Sequence, residues 1–290
     1  MVDDSLITHV SDTALWVANC RAQEGRRADA AFDDALASML SGDRGRKIAR
    51  SIPRSGLVAW GMIIRTSAID QLIHDALQTG VDTVLNLGAG LDTRPYRLDL
   101  PAYLRWIEID FPNIVDLKNS KLLDRKPGCR LERIGMDLLD RAHRNEIFAR
   151  YGTTSKNTLV IAEGVIPYFS NHEVATLASE LLAIPSIRFW IQDFDNAGKR
   201  GMPRGWAKKL KAAPFLFEVK DWFEFFKQCG WQPLKVITSA EESERLNRPY
   251  PLDFPFGLIM RALPKDMQKK ILSLSGAVLM ERHHAMVAKR

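Results

Sequence analysis

Five short apolar runs punctuate the middle of the chain: DTVLNLG (82–88), RWIEID (105–110), RLERIG (130–135), TLVIAEG (158–164) and IRFWIQD (187–193). The stretches between them are helix-compatible, and this alternation predicts a mostly parallel sheet with covering helices, an α/β class. Upstream the period is helical, with Ala14, Leu15 and Ala18, then Ala31, Leu36 and Leu40, and again from Ile63 to Leu77 before Gly80. A helical front end follows from that spacing. Downstream the regularity weakens. DFDNAGKRGMPRGW (193–206) reads as a loop that begins with two solvated acids, Asp193 and Asp195, and DWFEFFKQCG (221–230) as an amphipathic helix closed by Gly230. WQPLKVIT (231–238) and AVLMERHHAMVA (277–288) read as closing strands, antiparallel neighbours at one side of the sheet. The expected organisation is one domain over 1–290: a helical lid (1–80), the sheet-bearing core (81–240), a cap insertion (241–276) and a closing strand (277–290).

Length and composition change this picture little. At 290 residues and 46% hydrophobic the chain can bury a substantial core. No run of about 18 apolar residues occurs, and the first residues carry Asp3 and Asp4 where a secretory leader would carry bases. A cytoplasmic protein without a membrane span is expected. Cys20, Cys129 and Cys229 lie far apart, so neither a zinc site nor a disulfide framework is indicated. The net charge of +6 is modest, but DRGRKIARSIPR (43–54) concentrates Arg44, Arg46, Lys47, Arg50 and Arg54. A solvated helix face or a lid over an anionic ligand is favoured there over a nucleic-acid patch.

The candidate chemistry begins at LNLGAGLDTRPYRL (85–98). A strand ending in Gly88-Ala89-Gly90 lets the backbone approach a ligand closely. A dinucleotide fingerprint would place a third glycine where Thr93 stands, and Asp92 would repel a pyrophosphate. Asp110, at the end of the next run and 20 residues after Gly90, is placed to accept hydrogen bonds from ribose hydroxyls. Glu108 alternates with it on the same strand face. A nucleoside without a pyrophosphate is indicated, and S-adenosylmethionine (SAM), with its sulfonium cation, is such a ligand.

RTSAIDQLI, NLGAGLDTRPYRL, IEIDFPNIVDLKNSKL, DLLD and AEGVIPYF together resemble the leucine carboxyl methyltransferase family, which includes bacterial SAM-dependent methyltransferases and polyketide carboxyl methyltransferases. The likeness runs from about residue 10 to residue 195, and the front segment 10–34 resembles the bacterial branch. It implies a class I methyltransferase fold, Rossmann-like, with SAM as cofactor. It further implies that Arg65 grips the cofactor carboxylate, that Gly88 and Gly90 line its methionine and ribose part, and that Asp110 takes the ribose hydroxyls. Asp137 with Leu138 would frame the adenine and Glu163 would hold the amino end. Pro167 departs from the family's pattern, and the neighbouring Tyr168 is the candidate catalytic residue, either a cleft side chain touching the cofactor methyl or the acceptor or a side chain of the core.

The expected reaction is O-methylation, with a small-molecule carboxylic acid as the acceptor; a protein C-terminal carboxylate would also suit, and nucleic acid would not. A carboxylate arrives ionised, so no general base is required. The alternatives are a phenolic or hydroxyl acceptor, for which His172 is the one histidine near the site by sequence, and a SAM-binding module without turnover. No metal site is expected. His283 and His284 adjoin in a predicted strand, so their side chains would point to opposite faces.

Overall fold

The computed structural model describes residue 7 and residues 9–52, 55–197, 213–251 and 256–283. Arg54, Trp206, His284, most of the loop expected over 193–206 and the end of the expected closing strand lie outside these residues.

Three helices come first: α1 (Ser11–Glu24), α2 (Ala37–Ser51), which kinks at Gly42, and α3 (Ser55–Leu77). The basic run falls on α2, where Arg44 is bonded to Asp12 of α1 (2.8 Å) and Arg46 to Asp43. The strands β1 (Thr83–Leu87), β2 (Arg105–Asp110), β3 (Arg130–Gly135), β4 (Thr158–Ala162) and β5 (Ile187–Asp195) follow, separated by α4 (Arg94–Arg97), α5 (Pro112–Lys121), α6 (Arg141–Thr154) and α7 (Asn171–Ala183). α8 (Trp222–Gln228) leads to β6 (Trp231–Thr238), and α9 (Ser239–Arg245), α10 (Phe256–Ala262) and α11 (Lys265–Leu272) precede β7 (Ser275–Arg282).

The described strands form one sheet in the order β3-β2-β1-β4-β5-β7-β6, with β1 to β5 parallel and β7 antiparallel to both of its neighbours. The two closing strands are therefore antiparallel neighbours at one side, as their sequence predicts. β5 runs two residues beyond the predicted IRFWIQD, which it extends past Asp193 to Asp195, so both acids are strand residues, correcting their reading as loop acids. β7 ends at Arg282, so His283 lies beyond the strand in which it was expected.

Strand alternation sorts the core into two layers. Val84, Trp106, Leu159, Ile161, Phe189 and Ile191 face α3 through Ile69, Leu72 and Ile73. Their neighbours Leu85, Ile107, Val160, Trp190 and Phe194 face the other way, toward Phe148 of α6, Leu177 of α7 and Phe226 of α8. Between β1 and β4 the strand order reverses, which opens a crevice beyond their carboxyl ends. The segments after β1 and β4 are the glycine turn and Glu163-Gly164.

Candidate active site

A cavity of about 500 Å³ occupies this crevice. Arg65, Gly88, Gly90, Asp110, Asp137, Leu138, Glu163 and Tyr168 all line it, so the residues expected to hold the cofactor and the acceptor come to one place. Thr13, Trp16 and Val17 of α1 and Pro214, Phe215 and Leu216 also contribute to its wall.

The turn after β1 needs glycine for two reasons. Gly88 and Gly90 have φ of +61° and +49°, a region that L side chains rarely adopt. A Cβ on Gly88 would also stand 2.4 Å from Val165 Cγ2. This backbone turns Gly90 N–H onto Asp110, whose Oδ2 accepts from it at 2.6 Å while Oδ1 accepts from Phe111 N–H at 2.7 Å. Burial pushes the Asp110 carboxyl above its ordinary range, against those two donors. Each oxygen keeps lone-pair capacity for a further donor. Glu108, two residues earlier, does not reach the cavity: it is buried and held at 2.7 Å by both Lys118 of α5 and Arg133 of β3.

Behind the turn lies a charge lattice in which Arg94 is the hub. Its guanidinium is 3% exposed and donates to Asp70 (2.6 Å), Asp92 (3.1 Å) and Glu163 (2.7 Å). Asp92 further accepts from Asn86 Nδ2 and from Arg94 N–H, both at 2.9 Å, which ties the turn to the end of β1. Glu163 is shared: Arg65 Nε donates to its other oxygen at 3.0 Å, and Arg65 Nη1 lies 3.3 Å from Asp193. Asp193 also accepts from Gly164 N–H at 2.6 Å. Burial favours a protonated Glu163, but Arg94 and then Arg65 outweigh it and hold the carboxyl down at about 2. The same competition, with Arg94 again the strongest opposing partner, holds Asp92 below the carboxylate range.

Arg94, Asp70 and Asp193 are the members that sequence reasoning missed. Arg94 carries a faint local signal, a cation two residues after the turn's own carboxylate. Asp193 carries none, since its partners stand 29 and 128 positions away.

Tyr168 stands on a short 3₁₀ turn (Ile166–Tyr168) that Pro167 helps to start. Its ring meets Phe215 edge-on at 5.3 Å. Burial raises its pKa despite the hydrogen bond with Thr13, so it is a neutral phenol near pH 7. His172, the sequence candidate for a base, is exposed near the start of α7 and does not line the cavity. None of the other described histidines lines it either. No group of three or more metal-ligating side chains is found among the described residues.

The family model described as leucine carboxyl methyltransferase matches residues 14–182. A relative from Parafrankia sp. (strain EAN1pec), named "Putative S-adenosyl-L-methionine-dependent methyltransferase", is 28% identical over 267 residues, covering 85% of this chain and 84% of its own. One of the same description from Streptomyces avermitilis is 32% identical over 182 residues, 59% of this chain and 64% of its own. Among solved structures, a DUF574 family protein from Streptomyces avermitilis is similar with a TM-score of 0.57 at 15% identity, covering 91% of this chain and 96% of its own. A methyltransferase so described from Thermobifida fusca, also under the word "putative", has a TM-score of 0.56 at 14% identity, with 97% of each chain covered. These two likenesses concern the fold.

Proposed function

We propose that this chain, which belongs to the leucine carboxyl methyltransferase family and is a SAM-dependent methyltransferase, converts the carboxylate of a small organic acid to its methyl ester. The cavity suits the cofactor. Six acids line it (Asp92, Asp110, Asp137, Glu163, Asp193 and Asp195) against three arginines (Arg21, Arg65 and Arg94), a balance that favours a ligand with cationic centres and disfavours a pyrophosphate. Asp110 would take the ribose hydroxyls, Asp137 and Leu138 the adenine, Gly88 and Gly90 the backbone approach, Arg65 the carboxylate and Glu163 the ammonium. When bound, the cofactor supplies a methyl group on a sulfonium.

The protein's part in such a transfer is alignment and exclusion of water. α1 and the segment carrying Phe215 wall the cavity with apolar side chains. Tyr168, a neutral phenol, can donate one hydrogen bond to an acceptor carboxylate and orient it. The observation that carries the carboxylate reading is the absence of any described histidine from the cavity. Asp193 is committed to Arg65 and Gly164 N–H, which makes it a poor base. An acceptor that is already ionised has no need of one.

The test is incubation with methyl-labelled SAM and a panel of carboxylic acids, followed by mild base, which releases label from an ester and not from an ether. The rate at saturating SAM should stay flat from about pH 6 to about pH 9, because a carboxyl of ordinary pKa near 4 has no proton left to lose there. His172→Ala should leave that profile unchanged. A base-stable product whose rate of formation climbs with pH would overturn the reading in favour of a hydroxyl acceptor.

A further inference from the structure

Ten large hydrophobic side chains are exposed among the described residues, and five of them, Leu258, Ile259, Met267, Ile271 and Leu274, fall within seventeen positions on α10, α11 and the turn that follows. Each is between 40% and 53% exposed. The remaining five are scattered over the rest of the chain. α11 has no buried residue, although Met267 and Ile271 stand at the i, i+4 spacing that normally packs a helix onto a core, and Leu274 follows in the turn beyond it. Clustered apolar surface of this kind marks a contact site, whereas single exposed leucines do not.

The surrounding charge selects the occupant. Residues 257–274 carry four exposed cations, Arg261, Lys265, Lys269 and Lys270, against one acid, Asp266. Lys270 lies next to the Met267–Ile271 row on the helix surface, and Arg261 lies beside Leu258 on α10. Lys265 and Lys269 lie on the other side of α11, where Lys269 is drawn to Glu241 of α9, so Arg261, Lys265 and Lys270 are the cations left to the face. A second copy of the chain seated symmetrically on this face would bring these cations against their own images. A protein partner is disfavoured by composition, because the cores of protein interfaces are depleted in lysine and enriched in tyrosine and tryptophan. Flexible aliphatic side chains bordered by long cations are instead what an anionic lipid surface accepts: the aliphatics enter the acyl boundary and the cations reach the headgroups.

The patch adjoins the cavity. Asn196 N–H donates to Leu274 O at 2.7 Å, and Asp195, which lines the cavity, pairs in register with Ser275. We infer that the α10–α11 face is a peripheral docking surface for an anionic membrane. No helix of the described residues is long and apolar enough to cross a bilayer; the contact proposed is lateral, with this face lying on the surface. The inference does not depend on which acceptor is methylated.

Flotation of the full chain with vesicles tests it, using phosphatidylcholine alone and phosphatidylcholine mixed with phosphatidylglycerol. The chain should float with the mixed vesicles at low salt, be released as salt rises, and ignore the zwitterionic ones. Met267→Glu with Ile271→Glu should abolish flotation, and Arg261→Gln and Lys270→Gln should each weaken it about fivefold. Since these side chains are exposed, thermal unfolding should be unchanged in all three variants. Failure of the parent chain to bind mixed vesicles, or equal binding by the double variant, overturns the proposal. So does a self-associated species in sedimentation that disappears in the double variant without any vesicle binding, which would make the occupant a second copy.

Discussion

Glu163 lies between two arginines, and replacing it with glutamine removes the charge while keeping an oxygen to accept from one of them. The carboxyl is 14% exposed and bonds Arg94 at 2.7 Å and Arg65 at 3.0 Å. Its pKa falls from the ordinary 4.5 to about 2, since the two guanidinium groups outweigh the burial that would raise it. At about 1.4 kcal/mol for each tenfold change in proton affinity, the folded state gains about 3 kcal/mol from the anion. The folded carboxyl binds its proton more weakly than the unfolded one, so this stabilisation is complete above about pH 4.5 and is lost as pH falls toward 2. Glu163→Gln should therefore lower the unfolding free energy of the ligand-free chain by up to about 3 kcal/mol at pH 7. The gap between parent and variant should shrink to roughly half by about pH 3 and nearly close by about pH 2. Urea unfolding followed by circular dichroism, repeated across that range, measures the gap directly. Asp92 shares Arg94 and also weakens the fold in acid; it is present in both proteins, but it is coupled to Glu163, so the difference reports Glu163 together with its coupling to Asp92. A gap that stays constant from pH 7 to pH 3 would show that the arginines do not hold Glu163 as an anion, and the lattice would have to be redrawn.

Asp110→Ala should weaken SAM binding about tenfold or more, because it removes a charged acceptor whose hydrogen bonds are worth roughly 1.5–3 kcal/mol each; calorimetry giving an unchanged dissociation constant in a folded variant would remove the ribose from this position. Arg65→Lys keeps the charge, but a single ammonium lacks the planar fork that reaches both Glu163 and Asp193. Binding of SAM should fall about tenfold by the same titration, and parent-like affinity would leave Arg65 a purely structural residue. Tyr168→Phe should lower kcat while leaving SAM affinity nearly intact, as expected of a group that orients the acceptor; a variant with parent kcat would exclude the phenol from that task.

Much of the sheet was readable because strand formation leaves a short-range trace. The runs beginning at Asp82, Arg105, Arg130, Thr158 and Ile187 each became a parallel strand, and the 231–238 run became β6 at the predicted bounds. The glycine turn was readable for a similar reason, since a strand end followed by Gly-x-Gly constrains its own backbone. Asp110 followed because the next strand end must lie beside it. Boundaries were less visible where tertiary pairing extends an element: β5 continues to Asp195 because β7 pairs with it as far as Ser275. His172, by contrast, was near in sequence and far in space. The capping box that starts α7, Ser170 with Glu173, directs the chain away from the cavity within a few residues of Tyr168.

Periodicity and turn chemistry act over a few residues, which is why the class of fold, the place of the turn and the acid at the end of the second strand were legible in the chain. Which charges neutralise which depends on contacts between distant segments. Glu108 and Asp110 alternate on one strand, yet Lys118 and Arg133 close around the first while the second is left to the cavity. Arg65, Arg94, Glu163 and Asp193 come from α3, the start of α4 and the ends of β4 and β5, and pair across 69 to 128 positions. Buried charges must find partners wherever the fold brings them, and that meeting is set by the reversal of strand order between β1 and β4, which leaves no pattern in any short stretch of chain.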